Sequence, residues 1–170
     1  MDNREAHQGW LHGHEASFAL LHGSNTSMFI GEYKYTIDSK KRLALPLKFR
    51  KELGKKIIIT KGTNNCLVVY TEKAWSLYAE KLGKMPASQP EARTFARIVL
   101  AGAMDSLVDK LGRILVPDYL KVYAGLEKDV VVCGLSDRLE VWDSAKWEEY
   151  KNNAEKEVDS LVSKLGNLGI

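Results

Sequence analysis

Two short stretches combine residue types that could do chemistry: Asp38-Ser39-Lys40-Lys41-Arg42 and Asp109-Lys110-Leu111-Gly112-Arg113. In each, an aspartate precedes an arginine by four positions across a polar stretch suited to a hairpin turn. An arginine at a protruding hairpin tip can donate two parallel N–H bonds to guanine O6 and N7 in a major groove. Lys40 and Lys41 beside it would contact phosphates, which adds affinity but no sequence information. The same spacing also lets Arg42 and Arg113 bridge back to Asp38 and Asp109 and stiffen the turns. Residue types alone leave both uses open.

Other chemistries find little support. No histidine occurs between residues 28 and 170, which removes the usual catalytic triads and most zinc sites. His7, His12, His14 and His22 all fall in the first 27 residues, at irregular spacings that suit a metal poorly. Leu111-Gly112-Arg113 and Leu82-Gly83-Lys84 hold isolated glycines, not a phosphate loop. Asp38 and Asp109 could form a carboxylate pair, but their basic neighbours favour structural or salt-bridging roles. Cys66 and Cys133 sit in apolar, β-branched segments and read as buried free thiols. Neither an enzyme, nor a metal, nor a cofactor is expected.

The elements that must position the two stretches are written twice. Gly31, Asp38, Arg42, Pro46 and Gly54 recur as Gly102, Asp109, Arg113, Pro117 and Gly125, all 71 residues on. At a spacing of 72, Leu67–Tyr70 answers to Leu139–Trp142, and Trp75 with Tyr78 to Trp147 with Tyr150. Two copies of one supersecondary unit follow. In each, a strand of alternating polarity leads to the Asp-to-Arg turn, and a second strand runs back from it. Pro46 or Pro117 then opens a short helix at its first position, and Gly54 or Gly125 closes it. Lys56–Thr60 with Cys66–Tyr70, and Val130–Cys133 with Arg138–Trp142, are the next strands. Thr71 and Asp143 are suited to cap the helices that follow.

Phe95, Ile98 and Val99 predict a linking helix that packs on the sheet. Val158, Leu161, Val162 and Leu165 form one stripe of a final helix spanning about 144–165, suited to the core or to a subunit contact. The organisation expected is a flexible extension over 1–27, a first half over 28–83, a linking helix over 84–103, a second half over 104–143 and a C-terminal helix over 144–170. No apolar run approaches the ~20 residues of a membrane helix.

The net charge of +3 says little about a partner, but its distribution says more. Phe29–Gly62 carries ten basic residues against three acidic ones, whereas Gly102–Gly134 carries four against five. The first window is a candidate polyanion footprint.

Met28-Phe29-Ile30-Gly31 and the doubled Asp-x-x-x-Arg, each copy followed by proline, resemble the MraZ family, as does Leu139-Glu140-Val141-Trp142 leading to Trp147. The resemblance covers residues 28–170. It implies an α+β fold of two AbrB-like swapped-hairpin ββαββ units, forming a pseudo-twofold, double-ψ-like β-barrel with flanking helices. It implies a cytoplasmic, nucleoid-associated regulator, binding repeated double-stranded DNA operators at its own division and cell-wall gene cluster. It also implies ring-shaped homo-oligomers. Carried over, it places DNA contact on Lys40, Lys41, Arg42, Lys110 and Arg113, with Asp38 and Asp109 supporting the turns. The charge difference adds an expectation of its own, that the first turn dominates. An antitoxin-like module that binds a toxin, or a ring-forming scaffold with no DNA role, would share the fold.

Overall fold

The computed structural model describes residues 28–166; the leader with its four histidines, and residues 167–170, lie outside the described residues. In the first repeat β1 (Phe29–Thr36) and β2 (Arg42–Ala44) precede α1 (Leu47–Leu53), β3 (Lys56–Lys61), β4 (Leu67–Thr71) and α2 (Glu72–Gly83). After the linking helix α3 (Pro90–Ala101) the second repeat runs β5 (Met104–Leu107), β6 (Arg113–Leu115), α4 (Asp118–Ala124), β7 (Asp129–Ser136) and β8 (Arg138–Asp143). Helices α5 (Ser144–Lys156) and α6 (Val158–Leu165) follow. The class is α+β.

Six strands form one antiparallel sheet in the order β1-β7-β8-β4-β3-β5, and β2 pairs with β6 in a ribbon of its own. The repeats exchange strands: β1 pairs with β7 of the second copy, and β5 pairs with β3 of the first. A simple hairpin within each copy, suggested by the polar turns, is not what forms. Each turn closes at its base, where the Asp38 amide donates to the Arg42 carbonyl and the Asp109 amide to the Arg113 carbonyl, and an isolated bridge between Ile37 and Leu43 extends the first.

The alternation of side chains explains why the sheet strands are so apolar. Ile57, Ile59, Leu67, Val69, Val130, Val132, Leu139 and Val141 fill a core on one face. Cys66, Val68, Tyr70, Val131, Cys133 and Trp142 form a second core on the other, against Trp75, Tyr78 and Trp147. Strands covered on both faces read as continuous apolar runs. The first core is closed by the ribbon's Leu43 and Ile114, by Phe49 and Leu53 of α1, and by Leu120 and Ala124 of α4.

The predicted caps are present. Thr71 Oγ1 accepts from the Ala74 amide, and Asp143 Oδ1 from the amides of Ala145 and Lys146. Pro46 and Pro117 stand one position earlier than predicted, at the N-cap itself. The expected C-terminal helix is broken at Glu157, which has left helical geometry (φ −106°, ψ 3°). In α3 only Ala92 and Val99 are buried, while Phe95 and Ile98 stay exposed. Among the described residues no helix is long and apolar enough to cross a membrane.

Candidate nucleic-acid interface

The ribbon brings the two Asp-to-Arg stretches together. Its register sets Arg42 opposite Leu115, Leu43 opposite Ile114, and Ala44 opposite Arg113. Leu43 and Ile114 are buried beneath it. Alternation therefore places Arg42, Ala44, Arg113 and Leu115 on the outer face. The two arginines are diagonal neighbours, which in an antiparallel pair lie about 7–8 Å apart. Lys40, Lys41 and Lys110 are exposed on the flanking turns.

The two turns are built alike. Asp38 Oδ1 accepts the amides of Lys40 and Arg42, both at 2.9 Å, and Oδ2 accepts Arg42 Nε and Nη2, both at 2.7 Å. Asp109 Oδ1 likewise accepts the amides of Leu111 and Arg113 at 2.9 Å, and Oδ2 accepts Arg113 Nε and Nη2 at 2.8 and 2.7 Å. The bridge back to the turn aspartate is thus present in both copies. It holds the Asp38 carboxyl down at about 2, chiefly through the Arg42 side chain, and lowers Asp109 through Arg113. The bridge occupies two of the guanidinium's five N–H groups, which leaves three for another acceptor.

Each turn rests on the other repeat. The Leu45 amide donates to the Gly112 carbonyl at 2.9 Å, and the Val116 amide to the Lys41 carbonyl at 2.8 Å. Lys41 Nζ reaches Asp118 of α4. Arg50 of α1 donates from Nε to the Leu45 carbonyl and lies over Gly112. The fourth position of each turn has positive φ, 59° at Lys41 and 74° at Gly112. Glycine suits this geometry, and lysine occupies it against its preference.

Arg50 and Asp118 were not singled out from sequence. Arg50 has a signal, because Lys121 stands 71 positions on and keeps the positive charge, but Asp118 matches Leu47 and has none. The basic window also divides in space. Lys34 pairs with Glu148, Lys56 with Glu72 and Asp105, and Lys61 stacks on Tyr123. Lys40, Lys41 and Arg42 belong to the ribbon and its turns, and Arg50 of α1 packs against them.

Cys66 and Cys133 are free and buried, and burial pushes both thiols up to about 12. Among the described residues no three potential metal ligands cluster.

The family model described as "MraZ protein, putative antitoxin-like" matches residues 28–98 and again 99–163. The chain belongs to the MraZ family. It is 47% identical over 143 residues to the "Transcriptional regulator MraZ" of Acetivibrio thermocellus, covering 84% of this chain and all of that protein. The proteins of the same name from Caldicellulosiruptor bescii and Desulfitobacterium hafniense are 47% and 48% identical over the same shares. The duplicated MraZ match agrees with the 71-residue echo.

Proposed function

We propose that this MraZ chain regulates transcription by binding double-stranded DNA, and that it catalyses no reaction. In this reading the β2–β6 ribbon enters the major groove, which admits a two-stranded β-ribbon. Arg42 and Arg113 read guanines, while Lys40, Lys41 and Lys110 hold phosphates. The observation that carries the reading is that both arginines occupy one outer face, each oriented by its own aspartate with three N–H donors free. The two uses left open by the sequence are then complementary. Asp38 and Asp109 pre-set the guanidinium planes, which lowers the ordering cost on binding.

The exchange of β1 and β5 between repeats supports a swapped-hairpin, barrel-like arrangement of AbrB type. The relatives named as transcriptional regulators support the regulatory role; in this reading the protein acts in the cytoplasm, on the nucleoid, and represses its own gene cluster from repeated operator elements. A ring of several subunits would engage such repeats together, so one element should bind far more weakly than an array.

The test is a gel shift with the DNA upstream of the chain's own gene, against random DNA, at two salt concentrations. Preferential binding to the upstream DNA that persists at the higher salt is expected. Equal shifts for both DNAs, lost alike as salt rises, would leave only charge attraction.

A further inference from the structure

The outer face of the ribbon holds more than its two arginines. Leu115 stands on it 47% exposed, directly opposite Arg42, and Ala44 stands directly opposite Arg113. Leu115 belongs to neither apolar core, whereas Leu43 and Ile114 beneath it fill the first. Each guanidinium thus has an apolar neighbour across the ribbon, and the outer face of the two strands offers no other hydrogen-bonding side chain. The repeat relates Arg42 to Arg113, Leu43 to Ile114 and Ala44 to Leu115. The first pair is identical and the second is alike in size and burial. Only the third breaks the symmetry of the ribbon, with a methyl group in one repeat and an isobutyl group in the other.

We infer that Leu115 reads the 5-methyl group of a thymine close to the guanine taken by Arg42. It deepens, and rests on, the reading of the ribbon as a major-groove element. The thymine methyl is the one apolar group that base edges present in that groove, and apolar side chains pair with it. It projects from the base towards the protein, so a side chain shorter than arginine reaches it. Directly opposed residues of an antiparallel pair have β-carbons about 4.5–5.5 Å apart, and base pairs are stacked about 3.4 Å apart, so Arg42 and Leu115 fall within about two base pairs of each other. Ala44 offers only its own methyl beside the much longer Arg113. One thymine methyl per ribbon should therefore matter, on the side of Arg42.

Fluorescence anisotropy with the full chain tests it, on the operator and on copies with deoxyuridine in place of each thymine in turn. That exchange removes a methyl group and keeps every base-pair hydrogen bond. For the wild type, one exchange close to the guanine that Arg42→Ala ceases to discriminate should weaken binding about fourfold, the worth of one buried methyl group. Leu115→Ala should bind the thymine and deoxyuridine forms alike. Leu115→Met, which keeps an apolar side chain of similar volume, should retain the difference. So should Leu111→Ala, which alters the other exposed leucine of the second turn and ribbon. Indifference of the wild type to every exchange would overturn the inference, as would a loss that Leu115→Ala retains or that Leu111→Ala abolishes. In those cases a preference for the operator over random DNA leaves the major-groove reading standing. Absence of that preference in the wild type would overturn both.

Discussion

Arg50 of the first repeat lies over Gly112 of the second, so closely that a β-carbon on Gly112 would collide with Arg50 Nε. That Nε is itself fixed on the Leu45 carbonyl, and Gly112 has a φ of 74°. Gly112→Ala therefore meets both a steric conflict and a left-handed backbone. A loss of about 1–3 kcal/mol is expected from chemical denaturation. Lys41→Gly at the equivalent position, where φ is already 59°, relieves the left-handed backbone but removes the exposed Lys41–Asp118 ion pair, and should leave stability within about 1 kcal/mol.

The floor of the ribbon should be as sensitive as any core. Leu43 is fully buried between the ribbon and the sheet. Leu43→Ala is expected to cost about 2–5 kcal/mol, through lost transfer energy and a cavity. Equilibrium urea unfolding checks this. A loss under 1 kcal/mol would mean that the ribbon is not anchored as described.

Acid should loosen the turns in a defined range. The Asp38 carboxyl is held at about 2, below its unfolded value of 3.8, and Asp109 is lowered in the same way. A depressed carboxyl contributes stability that is complete above the unfolded value and is lost as pH falls through the folded one. The melting temperature should thus decline from about pH 4 towards pH 2. In Asp38→Asn with Asp109→Asn that part of the decline should be absent. Carboxyl titration by NMR reads the same two groups directly.

Much of this was legible in the sequence because it is local. The caps at Thr71 and Asp143, the buried cysteines and the Asp-to-Arg turns depend on residues close together in the chain, and the 71-residue echo is a comparison of the sequence with itself. Strand partners do not. Alternation in Tyr33-Lys34-Tyr35-Thr36-Ile37 shows that a strand has one buried face, but not that β7 rather than β2 lies beside it. The Lys41–Asp118 contact spans 77 residues and breaks the internal symmetry, so no repeat pattern could reveal it. Phe95 and Ile98 have helical spacing in either case; whether they meet the sheet or stay exposed is decided by how α3 is rotated on it.

The charge difference between repeats predicts unequal turns. The first carries Ser39, Lys40 and Lys41 where the second has Lys110, Leu111 and Gly112. Arg42→Ala should cost more operator affinity than Arg113→Ala in fluorescence anisotropy, and equal losses would refute the asymmetry. Lys40→Ala should weaken all sequences alike and reduce the salt slope by about one unit.

Base reading by Arg42 is the central claim, and a double-mutant cycle between protein and DNA tests it most directly. Affinities would be measured for wild type and Arg42→Ala against the operator and against variants with each G·C pair replaced in turn. The account predicts that Arg42→Ala costs about 1–3 kcal/mol and abolishes discrimination at one base pair while preserving it at the others. A uniform loss at every position, with discrimination intact throughout, would contradict it and reduce Arg42 to a phosphate contact or a brace for its own turn.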